Sequence, residues 1–264
     1  MSFFDGVIYS EALQIDTRLG IILPQDSRNA RLDAPCYDDK HTLAGKTLLL
    51  LHGLTDNAAA WWMRTSIIRY AERYGIAVVM PQAEKSFYRD MVYGDAFFTY
   101  VTEELPELCS GMFQMSFAPD DLMIAGLSMG GYGALKCALT YPERYIACGA
   151  FSSVADIRQM AVDVAAHPPT RGFDATFKAI FGDPASIPDD CDLFRLAERN
   201  CKSLERLRVY MTCGRQDGLY EANTRLAARL NASMSSRVLF EEWNGTHEWG
   251  FWDESIKRML SWVE

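Results

Sequence analysis

The sequence predicts an α/β fold with a mostly parallel central sheet that carries helices on both faces. Short, continuous apolar runs, typical of strands buried on both faces, recur along the chain. Segments of helical length and spacing separate these runs, so strands and helices alternate. The length of 264 residues is compatible with one domain, and we expect residues 1–264 to form a single one.

The predicted elements follow the alternation closely. Loose alternation over residues 7–23 predicts one or two N-terminal strands. Further strands are expected at residues 47–51, 76–80, 122–127, 147–151, 208–213 and 238–243. Helices are expected at residues 57–74, at 95–112 with a kink or break at Pro106, and at 129–139, 221–230 and 252–263.

One block, about residues 154 to 205, interrupts the alternation. It contains the His167-Pro168-Pro169 segment and several phenylalanines, and it is too long for a simple connection. We expect a cap-like insertion of short helices above the functional site.

Composition and charge exclude several classes of function. The net charge of −9 disfavours binding to nucleic acid or to anionic membrane surfaces. No apolar stretch approaches the length of a membrane span, and the N-terminus lacks the pattern of a secretion signal. Seven scattered cysteines without a CxxC pair predict reduced, mostly buried thiols and a cytoplasmic protein. The four histidines are dispersed and do not indicate a metal site. The sequence has no phosphate-binding loop, so nothing in it indicates nucleotide binding. No cofactor is therefore expected.

The segment Gly126-Leu127-Ser128-Met129-Gly130 is a G-x-S-x-G pattern between a predicted strand and a predicted helix. In that context the glycines allow a sharp turn that exposes the serine at the end of the strand, as in α/β-hydrolases. A serine that merely caps the helix is the alternative. We interpret Ser128 as a nucleophile in an α/β-hydrolase fold.

The general base follows from the order of residues in this fold, which is serine, then acid, then histidine. His41 and His52 precede the serine, and His167 follows no predicted strand. His247 follows the last predicted strand and precedes the last helix. It is therefore the predicted base, and His52 is interpreted as structural.

The acid that orients the histidine is expected after the preceding strand. Asp217 follows the strand at 208–213 and lies between Ser128 and His247 in the chain. An acid there would hold the imidazole in the right tautomer. The competing carboxylates are better explained as exposed turns or helix starts; they are Asp183, Asp189, Asp190, Asp192 and Glu221.

Two backbone N–H groups are candidates for an oxyanion hole. The Met129 N–H follows the serine at a helix N-terminus, where the helix dipole favours negative charge. The Leu54 N–H belongs to the His52-Gly53-Leu54 turn that ends the strand at 47–51.

Several aromatic residues are candidates for the substrate pocket, with ordinary core packing as the alternative. They are Trp61, Trp62, Tyr93 and Trp249, in a wider set that includes Phe87 and Tyr88.

These motifs resemble the tributyrin esterase family of bacterial carboxylesterases, within the esterase D-like α/β-hydrolases. The resemblance spans nearly the whole chain apart from residues 154–205. The matching segments include Leu50-Leu51-His52-Gly53-Leu54 and Ala125-Gly126-Leu127-Ser128-Met129-Gly130-Gly131-Tyr132-Gly133. The most specific ones are Cys213-Gly214 with Gln216-Asp217 and Leu219-Tyr220-Glu221-Ala222-Asn223, and Gly245-Thr246-His247-Glu248-Trp249.

The resemblance implies a triad of Ser128, Asp217 and His247, an oxyanion hole at Leu54 and Met129, and hydrolysis of short-chain acyl esters. Some relatives deacetylate sugars or release phenolic acids. The alternatives left open are an S-formylglutathione hydrolase, a feruloyl-type esterase, an acyltransferase and a non-catalytic hydrolase-like binding protein. The expected partner is a small-molecule ester, with no nucleic acid and no membrane, and a homo-oligomer stays open.

Overall fold

The computed structural model describes residues 1–24, 43, 45–168, 171–199, 206–234 and 237–264. The described strands form one eight-stranded sheet in the order β1-β2-β4-β3-β5-β6-β7-β8. Strands β1, β2 and β4 pair antiparallel, and β4, β3, β5, β6, β7 and β8 pair parallel. Their bounds are β1 Ser2–Ser10, β2 Ile15–Leu23, β3 Thr47–Leu51, β4 Ala77–Pro81, β5 Leu122–Leu127, β6 Ala147–Phe151, β7 Arg208–Gly214 and β8 Val238–Trp243.

Helices connect the parallel strands. Their bounds are α1 Ala60–Arg64, α2 Ile67–Tyr74, α3 Phe97–Thr99, α4 Leu105–Phe113, α5 Met129–Thr140, α6 Ile157–Ala166, α7 Phe173–Phe181, α8 Leu193–Arg199, α9 Tyr220–Met234 and α10 Trp249–Val263. In the described part of the chain, no helix is both long enough and apolar enough to cross a bilayer.

Strands β3 to β7 are buried on both faces, as the apolar runs predict, whereas the edge strand β1 is mostly exposed. Successive side chains of a strand point to opposite faces. Leu49 and Leu51 of β3 therefore join one core cluster, which includes buried residues of α4, α5, α8 and α9. Leu48 and Leu50 join the other, together with α2 and α10. The predicted α/β-hydrolase architecture is thus confirmed.

The helix expected over residues 57–74 is two helices, because Thr65 interrupts it. Thr65 is extended, its hydroxyl donates to the Trp61 carbonyl oxygen at 2.6 Å, and its Oγ1 accepts the Ile67 N–H at 3.2 Å. The Ser66 N–H donates to Asp253 of α10 at 2.8 Å. Side chains thus replace the helix hydrogen bonds that are lost at the break.

The kink or break expected at Pro106 is a change of helix type and not an interruption, because Glu104 and Leu105 keep right-handed helical backbone angles. A π-helical turn at Tyr100–Glu104 gives way to α4 one residue before the proline. Proline has no N–H, so it cannot donate to the Thr102 carbonyl four residues earlier. Arg144 donates to that carbonyl instead, at 3.0 Å.

The block at 154–205 contains the expected short helices, α6 to α8, with 3₁₀ turns at Pro184–Ser186 and Asp189–Cys191. Helix α8 packs against α5 and α9, and α6 packs against α7. The five cysteines in the described part of the chain are buried and form no disulfide bond, as predicted. Cys36, Cys201 and His41 lie outside the described residues.

Candidate active site

Ser128 stands at the sharp turn between β5 and α5. Its φ of 52° and ψ of −117° lie in a region that non-glycine residues rarely adopt, so the backbone is strained there. A Cβ on Gly126 would come within 3.0 Å of the Gly130 backbone, and one on Gly130 would come equally close to the Leu51 carbonyl. Both glycines are therefore needed for α5 to start so close to the ends of β3 and β5.

Two further loops leave the same edge of the sheet, after β7 and β8. The backbones of the two loops are in contact at Gly214 and Gly245. A Cβ on Gly214 would lie less than 3.0 Å from the Gly245 carbonyl, so the contact requires glycine at that position. Gln216 joins the loops a second time. Its Oε1 accepts the Gly245 N–H at 2.8 Å, and its own N–H donates to the Gly245 carbonyl at 3.1 Å. These contacts bring Asp217 of one loop next to His247 of the other.

A continuous hydrogen-bond chain links the three predicted catalytic side chains. His247 Nε2 lies 3.0 Å from Ser128 Oγ, and His247 Nδ1 lies 2.8 Å from Asp217 Oδ2. The other carboxylate oxygen of Asp217 accepts the Leu219 N–H at 2.9 Å. Because a carboxylate only accepts, the proton of a neutral imidazole belongs on Nδ1, which leaves the Nε2 lone pair facing the serine.

Asp217 is suited to stay ionised beside the imidazole. Burial raises the pKa of its carboxyl, but the hydrogen bonds from the His247 ring and the Leu219 N–H outweigh this effect. The pKa therefore falls below its ordinary value of 3.8. The His247 side chain is 40% exposed, so a substrate can reach the side of the ring that faces Ser128.

The Leu54 and Met129 N–H groups donate to no other protein group among the described residues. Met129 is the first residue of α5. The Leu54 loop is packed onto the elbow, since a Cβ on Gly53 would lie 3.8 Å from Ser128 Cβ and 2.7 Å from Leu127 Cδ1. Two unused donors thus flank the serine, which is the arrangement that an oxyanion hole requires.

His52 occupies a buried structural position. Its Nδ1 lies 2.8 Å from the Gly53 carbonyl oxygen, and its Nε2 accepts the Ala83 N–H at 3.0 Å. Burial lowers the pKa of the imidazole. A neutral ring with both nitrogens engaged has no capacity left for proton transfer, which agrees with its interpretation from the sequence.

A cavity of about 240 Å³ opens beside Ser128. Most of its side chains are apolar, and three polar ones lie on α6 or at its start. The lining residues are Leu54, Phe87, Ser128, Met129, Val154, Asp156, Gln159, Met160, Asp163, Gly218, Leu219 and Ala222.

The structure places the four predicted pocket aromatics elsewhere, and that prediction is corrected. Trp61 is fully buried and donates its indole N–H to the Leu51 carbonyl at 2.9 Å. Trp62 packs on β1 and β2, and Tyr93 is 69% exposed. Trp249 packs edge-on against Trp61 and a neighbouring tryptophan of α10. Trp61 thus belongs to the core, Trp62 and Trp249 pack against other aromatic rings, and Tyr93 lies at the surface.

Phe87 of the wider aromatic set does line the cavity, and so do Leu54 and Met129, which the sequence indicated as backbone donors. Val154, Met160, Leu219 and Ala222 were not predicted to line it. Leu219 and Ala222 follow the Asp217 turn, so their sequence proximity to the acid was a usable signal. Val154 and Met160 belong to the insertion, and their approach to Ser128 depends on tertiary packing that no local pattern reveals.

The sheet order, the strained elbow and the ordered serine, acid and histidine define the α/β-hydrolase class of serine hydrolases. Residues 10–263 match the family model described as "Putative esterase". An acetyl esterase of Caldicellulosiruptor saccharolyticus is 31% identical over 258 residues, which cover 97% of this chain and 95% of the relative.

Two solved structures from Staphylococcus aureus, each 29% identical, agree in fold. The fluorophosphonate-binding serine hydrolase F superposes with a TM-score of 0.84 over 99% of this chain and 98% of that chain. An S-formylglutathione hydrolase superposes with a TM-score of 0.81 over the same shares. The chain belongs to this esterase family, and the protein is a carboxylic ester hydrolase.

Proposed function

We propose that this protein hydrolyses short-chain acyl esters, acetyl esters of neutral polyols foremost, through an acyl-enzyme on Ser128. The observation that carries the proposal is the hydrogen-bond chain from Asp217 through His247 to Ser128, which ends at a small apolar cavity. The acetyl esterase relative supports the choice of acyl group.

In acylation, His247 Nε2 accepts the proton of Ser128 Oγ while Oγ attacks the ester carbonyl carbon. Asp217 stabilises the imidazolium that forms. The negative charge on the carbonyl oxygen is received by the N–H groups of Leu54 and Met129. His247 then gives its proton to the departing alcohol oxygen, and a water molecule, activated in the same way, releases the acid.

The size of the cavity favours short acyl chains. At about 30 Å³ per heavy atom, the volume share of a water molecule in the liquid, 240 Å³ holds about eight heavy atoms. A butyryl group fits with room to spare, whereas an octanoyl group exceeds the space. Helix α6 supplies Met160 to the lining, so the block at 154–205 acts as the cap that sets chain length in this proposal.

A wider groove of about 590 Å³ adjoins the cavity through Asp156 and Gln159 and would take the alcohol part. Three arginines and three carboxylates line it. They form ion pairs, Arg158 with Asp192, Arg225 with Asp156 and Arg195 with Glu198. The balanced charge favours a neutral, hydroxyl-rich alcohol over a charged one.

The test is kcat/KM on p-nitrophenyl acetate, butyrate and octanoate, together with an acetylated sugar and a feruloyl ester. We expect acetate and butyrate to exceed octanoate by about tenfold or more, and the acetylated sugar to exceed the feruloyl ester. Ser128→Ala should lose on the order of 10⁴-fold. A folded wild type that neither turns over these esters nor reacts with a fluorophosphonate would refute the proposal.

Met160→Ala isolates the role of the cavity. Removing this side chain enlarges the lining, so octanoate should gain on acetate by about tenfold, within the range for one or two methylene groups. Met63, which is 75% exposed and does not line the cavity, provides the matched control. Equal chain-length profiles for Met160→Ala and Met63→Ala would contradict the assignment of this cavity to the acyl group.

Hydrolysis of S-formylglutathione is the second candidate, favoured by the superposition with that hydrolase. The same serine and histidine would act on a thioester, and a formyl group fits the cavity easily. Glutathione carries net negative charge, which the balanced groove does not attract. We therefore expect lower kcat/KM on S-formylglutathione than on acetylated sugar, and the reverse order would make this candidate the better one.

A further inference from the structure

A second cavity, of about 500 Å³, lies away from Ser128. It shares no lining residue with the cavity beside the serine. Lys136 of α5 stands eight residues after Ser128, about 12 Å farther along the helix. The lining residues are Arg89, Asp90, Phe98, Lys136, Thr140, Asp190, Leu196 and Arg199.

Lys136 is the unusual member of this set. Its side chain is only 3% exposed, yet among the described residues it has neither a hydrogen-bond acceptor nor a carboxylate within 4.0 Å. Its ammonium lies 3.5 Å from the centre of the Phe98 ring, a cation–π contact. Burial lowers the pKa of the amine. A buried ammonium is costly unless an anion compensates it, and this one lines an open cavity.

The other charged groups leave the cavity with an excess of positive charge. Arg89 and Arg199 line it, and neither is within 4.0 Å of a carboxylate among the described residues. Both carboxylate oxygens of Asp90 accept a hydrogen bond from Thr99, one from its N–H at 2.9 Å and one from its hydroxyl at 2.8 Å. Three cations thus face two carboxylates, one of which is already hydrogen-bonded to Thr99, in a chain whose net charge is −9.

We propose that this cavity binds a small molecule through a phosphate or carboxylate group. Lys136 supplies a buried point charge to that group, and Arg89 and Arg199 supply planar donor pairs that match two oxygen atoms each. At about 30 Å³ per heavy atom the cavity holds roughly sixteen heavy atoms, so a body larger than the anionic group fits against Phe98 and Leu196.

The experiment is isothermal titration calorimetry at pH 7 and constant ionic strength, with inorganic phosphate as one probe and acetate as the other. We expect saturable one-site binding of at least one probe, with phosphate the tighter because three cations face it. Lys136→Met keeps the apolar stem on Phe98 and removes the charge, so it should weaken binding by tenfold or more. It should leave kcat/KM on p-nitrophenyl acetate within twofold.

Two variants make the result specific. Arg73→Gln removes an exposed arginine outside the cavity and should bind like wild type, which excludes a general charge effect. Ser128→Ala should also bind like wild type, which excludes capture at the catalytic serine. If Lys136→Met fails to fold by circular dichroism, Arg199→Gln replaces it, with weakening of fivefold or more expected.

The proposal is overturned if wild type binds neither probe saturably. It is equally overturned if Lys136→Met, or its replacement Arg199→Gln, binds as tightly as Arg73→Gln, or if Ser128→Ala abolishes binding. Tighter binding of phosphate would assign the ligand to the phosphate class, and tighter binding of acetate would assign it to the carboxylates.

Discussion

Replacing Asp217 by asparagine tests the catalytic geometry with the smallest change of shape. In the wild type, Oδ1 accepts the Leu219 N–H and Oδ2 faces His247 Nδ1. An asparagine that keeps its oxygen on Leu219 must turn its NH₂ group toward the imidazole. The ring then shifts its proton to Nε2, and a protonated Nε2 cannot accept the Ser128 proton.

The opposite rotamer does not rescue the variant. It would restore an oxygen to His247 but would set the NH₂ group against the Leu219 N–H, two donors in a site where Asp217 is only 6% exposed. A buried unsatisfied donor costs about 1–3 kcal/mol. Neither rotamer carries the negative charge that stabilises the imidazolium. We therefore expect kcat to fall about 10³- to 10⁴-fold, or roughly 4–5.5 kcal/mol of transition-state stabilisation.

The assay is kcat and KM on p-nitrophenyl acetate at pH 7.5, with the rate of fluorophosphonate labelling as a second readout. Both kcat and the labelling rate should fall, with KM little changed, because the cavity is untouched. Glu221→Gln removes an exposed carboxylate four residues away and should stay within twofold of wild type. A folded Asp217→Asn enzyme within tenfold of the wild-type kcat/KM would refute the role assigned to this carboxylate.

Three further predictions follow from the same contacts. Gly130→Ala should lower the free energy of unfolding in urea by about 1–3 kcal/mol or more, because the new Cβ meets the Leu51 backbone. The control Gly111→Ala, whose Cβ has nothing within 4 Å, should raise the free energy of unfolding by about 0.5–1 kcal/mol. Equal effects of the two substitutions would contradict the close approach at Gly130. Gln216→Ala should lower kcat about three- to tenfold, because it removes the hydrogen bond from Gln216 that holds the His247 loop. The control Arg215→Gln should change kcat less than twofold. Equal effects of the two variants would contradict the role of Gln216 in holding that loop. Folding lowers the pKa of Asp217, so its carboxylate stabilises the fold above pH 3.8 and this contribution is lost as the pH falls below that value. The difference in unfolding free energy between wild type and Asp217→Asn should therefore shrink on acidification. A constant difference from pH 7 to pH 3 would contradict this prediction.

The sequence was most informative where a local pattern has one structural solution. Continuous apolar runs such as residues 47–51 and 122–127 became strands at the expected residues, because only a doubly covered sheet buries them fully. The order of Ser128, Asp217 and His247 in the chain predicted that these side chains lie together, for a similar reason. The carboxyl ends of parallel strands share one edge, so residues that follow these strands meet there.

The sequence could not decide which of the candidate aromatic residues line the cavity, because their positions depend on contacts between distant segments. Phe87 and Tyr88 have φ values of 51°, a conformation that no propensity anticipates. Tyr88 is held by the packing of its ring against Gly133 and by its hydroxyl bond to the His52 carbonyl at 2.9 Å. That arrangement directs Phe87 toward the cavity, whereas Trp61 is drawn into the core by its bond to the Leu51 carbonyl.

The close contacts at this edge of the sheet explain how separate loops hold Ser128, His247 and Asp217 within hydrogen-bond distance of one another. A Cβ on Gly130 would collide with the Leu51 backbone, and one on Gly214 would collide with the Gly245 backbone. A Cβ on Gly53 or Gly245 would collide with the side chain of Leu127 or Phe251. These close contacts leave few alternative positions for the loops that carry the candidate catalytic side chains. The cavity, by contrast, takes part of its lining from α6, which packs against α7. Under the proposed assignment of this cavity to the acyl group, changes in α6 should alter the chain length accepted while the serine, histidine and aspartate keep their geometry.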